Sequence, residues 1–382
     1  MTLLNASPEN PRLETAPIIK DEKLLVASQW QLIRWKFARH RVAVFSLIVL
    51  IIFYLSAIFA EFVAPYDPGH YDADLTLAPP QSLHFFDNGK FQLRPFVYGV
   101  ASEYDMNTFK TTYTVDKDLK YPLHFFVQGD PYKLWGLFES DRHLFGVEEG
   151  TVFLFGSDNM GRDVLSRVIH GGRVSLSIGL VGIAISSLIG IFVGGISGYY
   201  GGVTDMIIQR IIEFIRSIPT LPLWMALSVA LPPTWTILQV YFGIVMILSL
   251  VGWTGLARVV RGKFMSLREE DFVMAAQLNG STEIRTIFKH MLPSFYSHVI
   301  ASLTLSVPGM ILGETALSFL GLGLQAPAVS WGVLLRDAQF IRVLASSPWL
   351  LLPGAFVVLA ILCFNFVGDG LRDAADPYAT IL

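Results

Sequence analysis

Cysteine is almost absent: Cys363 is the single one in 382 residues. One thiol excludes an intrachain disulfide framework and a multi-cysteine zinc cluster. Its place in an apolar run reads as a small buried hydrophobe. Charge is scarce as well. Lys, Arg, Asp and Glu make up 15% of the chain, against about 25% in an ordinary soluble domain. A net charge of −3, with no basic tract interleaved with aromatics, gives no sign of nucleic-acid binding. No stretch matches Gly-x-x-x-x-Gly-Lys-Ser/Thr, the loop that cradles nucleotide phosphates; the nearest, Arg261-Gly262-Lys263, lacks the first glycine and the hydroxyl. Gly-x-Ser-x-Gly and His-Glu-x-x-His are missing too. The sequence therefore offers no catalytic residue, no metal ligand set and no cofactor site of its own.

What it has is apolar length. The hydrophobic share is 53%, and a helix crossing a bilayer needs about 20 mostly apolar residues. Six runs qualify: 42–62, 174–195, 211–231 (with Pro219 and Pro222), 238–256, 295–317 and 349–367. The first run begins too far into the chain for a cleaved secretory leader and reads as a retained anchor. Six spans put both termini on one side, and the distribution of Lys and Arg decides which. The tail 1–41 holds seven (Arg12, Lys20, Lys23, Arg34, Lys36, Arg39, Arg41) and the 257–292 segment six. The short loop 232–237 holds none and the loop 321–348 two, Arg336 and Arg342. The tails 1–41 and 368–382 and the 257–292 segment are thus expected in the cytoplasm, with 63–173 on the periplasmic side.

That outer region is long. Asp87-Asn88-Gly89 between apolar flanks is a hairpin signal, because Asn-Gly suits a type I′ turn. Residues 91–98 and 111–115 are rich in aromatic and β-branched side chains, so a small β-rich domain is expected over about 80–153.

The segment 268–293 carries the clearest pattern. Ile284, Ile287, Phe288, Met291 and Leu292 follow one helical stripe. Ser281 is placed to cap that helix, and Glu283 sits where the helix dipole favours an anion. Before it, Phe272, Ala275, Ala276 and Asn279 share a face of a shorter helix, and Gly280 separates the two. By pattern alone, such a pair of surface helices suits a groove on a partner as well as it suits a lipid surface.

Resemblance to a known family separates these alternatives. Ala275-Ala276, Gly280 and Leu292-Pro293 are similar to the EAA loop of ATP-binding-cassette (ABC) importer permeases, with Met274 where that loop has Glu. The blocks Gly156-Ser157-Asp158-Asn159-Met160-Gly161-Arg162-Asp163, Gly172-Arg173-Val174-Ser175-Leu176, Glu314 to Gly323, Ser330-Trp331-Gly332 and Gly368-Asp369-Gly370-Leu371-Arg372-Asp373 resemble C-type subunits of dipeptide, oligopeptide and nickel permeases. Together they cover most of 155–377 in order. The resemblance implies an all-α transmembrane fold: a six-helix, MetI-like permease of the type I ABC importers, with the permease core over 174–367. It implies a B-type permease partner, two ABC ATPase subunits that bind ATP and Mg, and a periplasmic substrate-binding protein. Asp271, Met274, Ala275, Ala276, Asn279, Gly280 and Glu283 would meet the ATPase. Gly156, Asp158, Gly161, Arg162, Asp163, Glu314, Trp331, Asp369, Arg372 and Asp373 are the remaining family positions. The implied cargo is peptide, with oligosaccharide, opine, nickel chelate or peptide antibiotic as alternatives. The outer insert goes beyond the resemblance. It suits either a seat for the binding protein or a brace for the partner permease.

Charges near spans remain. Asp205, Arg210, Glu213 and Arg216 cluster at the start of the third run, with Arg210–Glu213 and Glu213–Arg216 spaced to pair. Glu314 suits either a pathway lining or a helix–helix contact. Asp369, Arg372, Asp373 and Asp376 are expected to form a salt-bridge cluster past the last span. A transporter or channel working alone is the rival reading, but such proteins place ionisable groups or broken helices at mid-membrane.

Overall fold

The computed structural model describes residues 28–87, 90–106 and 110–376. The expected turn at Asn88-Gly89 lies outside them, as do residues 1–27 and Pro377. The chain enters through α1 (Gln29–Arg39), opened by a capping box in which Ser28 and Gln31 satisfy each other's backbone N–H groups. At His40 it turns into α2 (Arg41–Ile58), where the imidazole Nδ1 accepts from the Ala43 N–H at 3.1 Å. A short α3 (Ala60–Val63) follows.

Five helical stretches among the described residues are long and apolar enough to cross a membrane: Arg41–Ile58, Val164–Tyr200, Ile237–Leu267, Glu283–Phe319 and Pro348–Ala375. We name α4 (Val164–Tyr200), α7 (Ile237–Leu267), α10 (Tyr296–Phe319) and α13 (Leu352–Ala375) within them. The expected third span is not one helix. It is divided into α5 (Gly202–Ser217) and α6 (Thr220–Val229), with Ile218 extended at φ −86°, ψ 128° between them. Pro219 explains the break: it lacks an N–H and pushes the residue before it out of the helical region. α5 is amphipathic rather than apolar throughout, and α6 is short.

α4 and α7 pack along most of their length because α4 presents small residues at every fourth position. Gly182, Ser186, Gly190, Gly194 and Gly198 face α7. A Cβ on Gly194 would stand 2.5 Å from the Ala257 carbonyl oxygen, and one on Gly198 2.6 Å from that of Arg261. This is the close backbone approach that small residues permit between membrane helices. Farther along, Ser249 Oγ donates to the Gly182 carbonyl at 3.1 Å. α2, α10 and α13 close the main core around Leu176, Ile178, Ile311, Leu317 and Phe364. Cys363 is buried there, as the sequence suggested.

Between the first two spans the chain forms β1 (His84–Asp87), β2 (Lys90–Asp105), β3 (Lys110–Pro122), β4 (His124–Leu134) and β5 (Phe138–Gly146). β1-β2-β3 is one antiparallel sheet and β4-β5 a separate hairpin. Both expected strand stretches fall in β2 and β3. Val97, Leu123 and Val152, with Tyr121 and Phe145, make the small core shared by the two.

Candidate functional site

The exposed helical knob over 271–292 grows directly from the C-terminal end of α7. α8 (Asp271–Leu278) ends in a Schellman turn: the Gly280 N–H donates to the Gln277 carbonyl and the Ser281 N–H to that of Ala276. Gly280 has φ +75°, a conformation that favours glycine. The chain then forms α9 (Glu283–Arg285), a π-helical turn over Thr286–Met291 and a 3₁₀ turn over Leu292–Phe295 that runs into α10. Val273, Ile287, Met291 and Leu292 are buried against Val260 and Phe264 of α7. The knob is thus bolted to two long helices by its inner face.

Its outer face is apolar and uncovered. Phe272, Met274, Leu278 and Ile284 are exposed, Leu278 by 89%. Asp271, Ala275, Asn279, Gly280 and Glu283 are exposed beside them, and Ala276 is half-buried. Asp271, Met274, Ala275, Ala276, Asn279, Gly280 and Glu283 thus share one projection. Two details differ from the expected pattern. Thr282, not Ser281, occupies the cap position of α9, and it makes no side-chain cap bond. The expected stripe also splits, with Ile284 and Phe288 exposed while Ile287, Met291 and Leu292 are buried. The π turn carries an extra residue, which rotates the stripe out of a single face. Glu283 is tied to α4 through the Tyr200 hydroxyl, and the Gln277 amide donates to the Tyr199 hydroxyl at 3.2 Å.

Two buried polar hubs hold the opposite end. Asp158 accepts from the Met160 and Arg162 backbone N–H groups at 2.8 and 3.0 Å, from Arg162 Nε at 2.8 Å, and from the Arg167 guanidinium. Asp163 caps α4, accepting from Ser166 N–H at 2.7 Å. Burial pushes its carboxyl up to about 6. Gly161 has φ +76°, and a Cβ there would lie 1.9 Å from the Asp72 carbonyl oxygen, so the loop closes only on glycine. Gly156 is also at positive φ, against Ala78 and Trp349. The second hub is Glu314, fully buried. It accepts from Ser318 and Ser330 hydroxyls at 2.9 and 2.7 Å and from Ser175 at 3.1 Å. Trp331, buried in α11 (Trp331–Arg336), donates its indole N–H to the Val168 carbonyl at 2.9 Å. Glu314 therefore joins α4, α10 and the start of α11.

Residues 187–380 match the family of binding-protein-dependent transport system inner membrane components, and residues 28–80 match the N-terminal transmembrane domain of oligopeptide transport permease C. The chain belongs to the first of these families. It is 46% identical to the oligopeptide transport system permease protein OppC of Haemophilus influenzae, over 58% of this chain and 70% of that one. It is 40% identical to the dipeptide transport system permease protein DppC of Bacillus subtilis, over 58% of this chain and 68% of that one. The OppC protein of Escherichia coli K12 is 41% identical over 58% of this chain and 72% of its own length. A solved methionine ABC transporter chain aligns with 54% of this chain and 95% of its own, at 17% identity and TM-score 0.41.

Other positions of this permease escaped the sequence reading. Asp205 does not pair within α5. It is held by Arg261 of α7, with Nη2 to Oδ2 at 2.5 Å, and by Ser197 Oγ at 2.5 Å. That pair keeps the Asp205 carboxyl below its ordinary range. Arg210 and Glu213 do meet, at 2.8 Å on the surface, but no Glu213–Arg216 ion pair occurs among the described residues. Arg173 grips Glu61 through both guanidinium ends at 2.7 and 2.6 Å, clamping the end of the first span to α4. Asp369, Arg372 and Asp373 are exposed on α13 and form no ion pair among the described residues. Nearby, Lys36 Nζ donates to the Asp376 carbonyl at 2.8 Å. The advance signal for the Asp205–Arg261 pair was the Gly/Ser period in 182–198, which lets α7 approach α4 closely.

Proposed function

We propose that this permease is the C-type subunit of an ATP-driven importer that carries oligopeptides or dipeptides from periplasm to cytoplasm. The peptide assignment is supported by the names of its relatives. It would pair with a B-type permease in the bacterial inner membrane, both termini cytoplasmic, and receive solute from a periplasmic binding protein. Two ABC ATPase subunits would bind ATP and Mg, since the chain has no phosphate-binding loop.

The observation that carries the reading is the knob: apolar residues left uncovered on its outer face, with its inner face locked into α7 and α10. An amphipathic projection of this kind fits a groove on a partner. Its rigidity lets partner motion reach the spans. ATP-driven closure of the ATPases would pull the knob, and α7 and α10 would tilt with it, switching the cavity between faces. A partner can bias that switch only by binding its two states unequally. Tagging the chain, extracting it in mild detergent and identifying its companions by mass spectrometry tests the proposal. A second permease and P-loop ATPases should co-purify, and the ATPases should be lost with Ala275→Arg. A folded chain that purifies alone and transports in liposomes without ATP overturns it.

A further inference from the structure

The β4–β5 hairpin is tied to the end of the first span at two points. Near its base, the buried His143 ring sets Nδ1 2.6 Å from the Ala64 carbonyl oxygen. At its tip, Trp135 Nε1 donates to the Ile58 carbonyl at 2.8 Å. Ala64 lies beyond the apolar helix, whereas Ile58 is its last residue. The hairpin therefore runs back along α3 towards the membrane. α2 has 18 residues, which at 1.5 Å per residue span ~27 Å. That is close to the ~30 Å hydrocarbon core. The indole bonded to Ile58 consequently stands where acyl chains give way to headgroups.

The tip is apolar and unusual. Trp135 has φ 53° and Gly136 φ 74°, the two positive values of a type I′ turn. Small residues usually fill such turns, and a tryptophan in this conformation is rare. Trp135, Leu137 and Phe138 are 50%, 75% and 63% exposed. Phe59 packs against Trp135 with ring planes tilted by 44° and centroids 5.4 Å apart, and the ring of exposed Phe126 lies 6.1 Å from that of Phe62. Just behind the tip, Lys133 and Glu139 pair at 2.8 Å, so the flank carries no net charge. On α2 itself, Phe45, Ile48, Ile52 and Leu55 are exposed as well.

We propose that Trp135–Phe138 is a membrane-interface anchor, seated among the phospholipid headgroups of the leaflet at which the first span ends. The indole is suited to that depth: its N–H is satisfied by protein and its ring has one wet and one apolar side. The anchor holds the hairpin, and the three-stranded sheet packed on its base, at a fixed height above the bilayer. It depends on the span and not on the transported solute.

The test uses the full chain in phospholipid nanodiscs, labelled with a nitroxide at L137C and, separately, at V115C on the exposed face of β3. Native Cys363 is buried, and labelled unsubstituted protein gives the blank. Power saturation compares collisions with oxygen, which enters lipid, and with a water-soluble nickel chelate. The label at 137 should be open to oxygen and severalfold less open to the chelate than the label at 115. Equal access of the chelate to both positions overturns the proposal. Protection of 137 from both reagents also overturns it, because it marks a protein contact in place of lipid.

Discussion

Adding one methyl group to the α4–α7 seam tests the packing account most sharply. At an open helix position, Gly→Ala stabilises by about 1 kcal/mol through lost unfolded-state freedom. At Gly194 the new Cβ would lie 2.5 Å from the Ala257 carbonyl oxygen and 2.9 Å from its Cα. Both are backbone atoms, so relief requires the helices to part. Overpacking of this kind costs about 1–3 kcal/mol, which outweighs the propensity gain. Gly194→Ala should therefore lose up to about 2 kcal/mol net, and Gly194→Leu more. Gly262 supplies the control: it lies in α7 with nothing within 4 Å of a notional Cβ. Gly262→Ala should gain about 1 kcal/mol. Thermal midpoints of the purified variants, read by fluorescence-detected size exclusion in one detergent, should move in opposite directions. If Gly194→Ala rises as Gly262→Ala does, the seam is not a close backbone contact and the reasoning fails.

Four further outcomes follow from the hubs and the knob. Asp158→Asn leaves the buried Arg167 guanidinium without its carboxylate and should cost about 3–5 kcal/mol, seen as a large fall in thermal midpoint; an unchanged midpoint contradicts the hub. Asp163 binds its proton more tightly folded than unfolded, since its carboxyl is raised from 3.8 to about 6. Its contribution to stability is full below about pH 4, falls as pH rises to about 6 and then stays level, so Asp163→Asn should flatten the midpoint profile across that window. Val273→Ala removes two methyl groups from a fully buried site and should cost about 2 kcal/mol. Leu278→Asp, on a surface residue, should leave the midpoint unmoved while ATPase co-purification drops; the reverse pattern would show that the outer face of the knob is structural.

The parts of the fold that sequence could foretell are those governed by local rules. Apolar length marked the long helices, β-branched and aromatic density marked β2 and β3, and Ala275-Ala276, Gly280 and Leu292-Pro293 marked the knob. What it missed depends on partners far apart in the chain. In sequence Glu314 suits either a pathway lining or a helix–helix contact, and its partners Ser175 and Ser330 come from distant parts of the chain. Asp205 clusters in sequence with Arg210, Glu213 and Arg216, yet Arg261 on another helix takes it. Prolines within spans can be accommodated when neighbours satisfy the freed carbonyls, but Pro219 divides the helix. The split of the Ile284–Leu292 stripe arises from a π turn, which no 3.6-residue periodicity can register.

The most direct test of the central claim is uptake of a labelled oligopeptide into proteoliposomes that hold this permease with its co-purified partners and binding protein. Uptake should require ATP in the compartment that holds the ATPases, and should be abolished by Leu278→Asp with the spans still folded. Uptake that persists without ATP, or that is indifferent to Leu278→Asp, would contradict the assignment of the knob as the point where ATP hydrolysis drives transport.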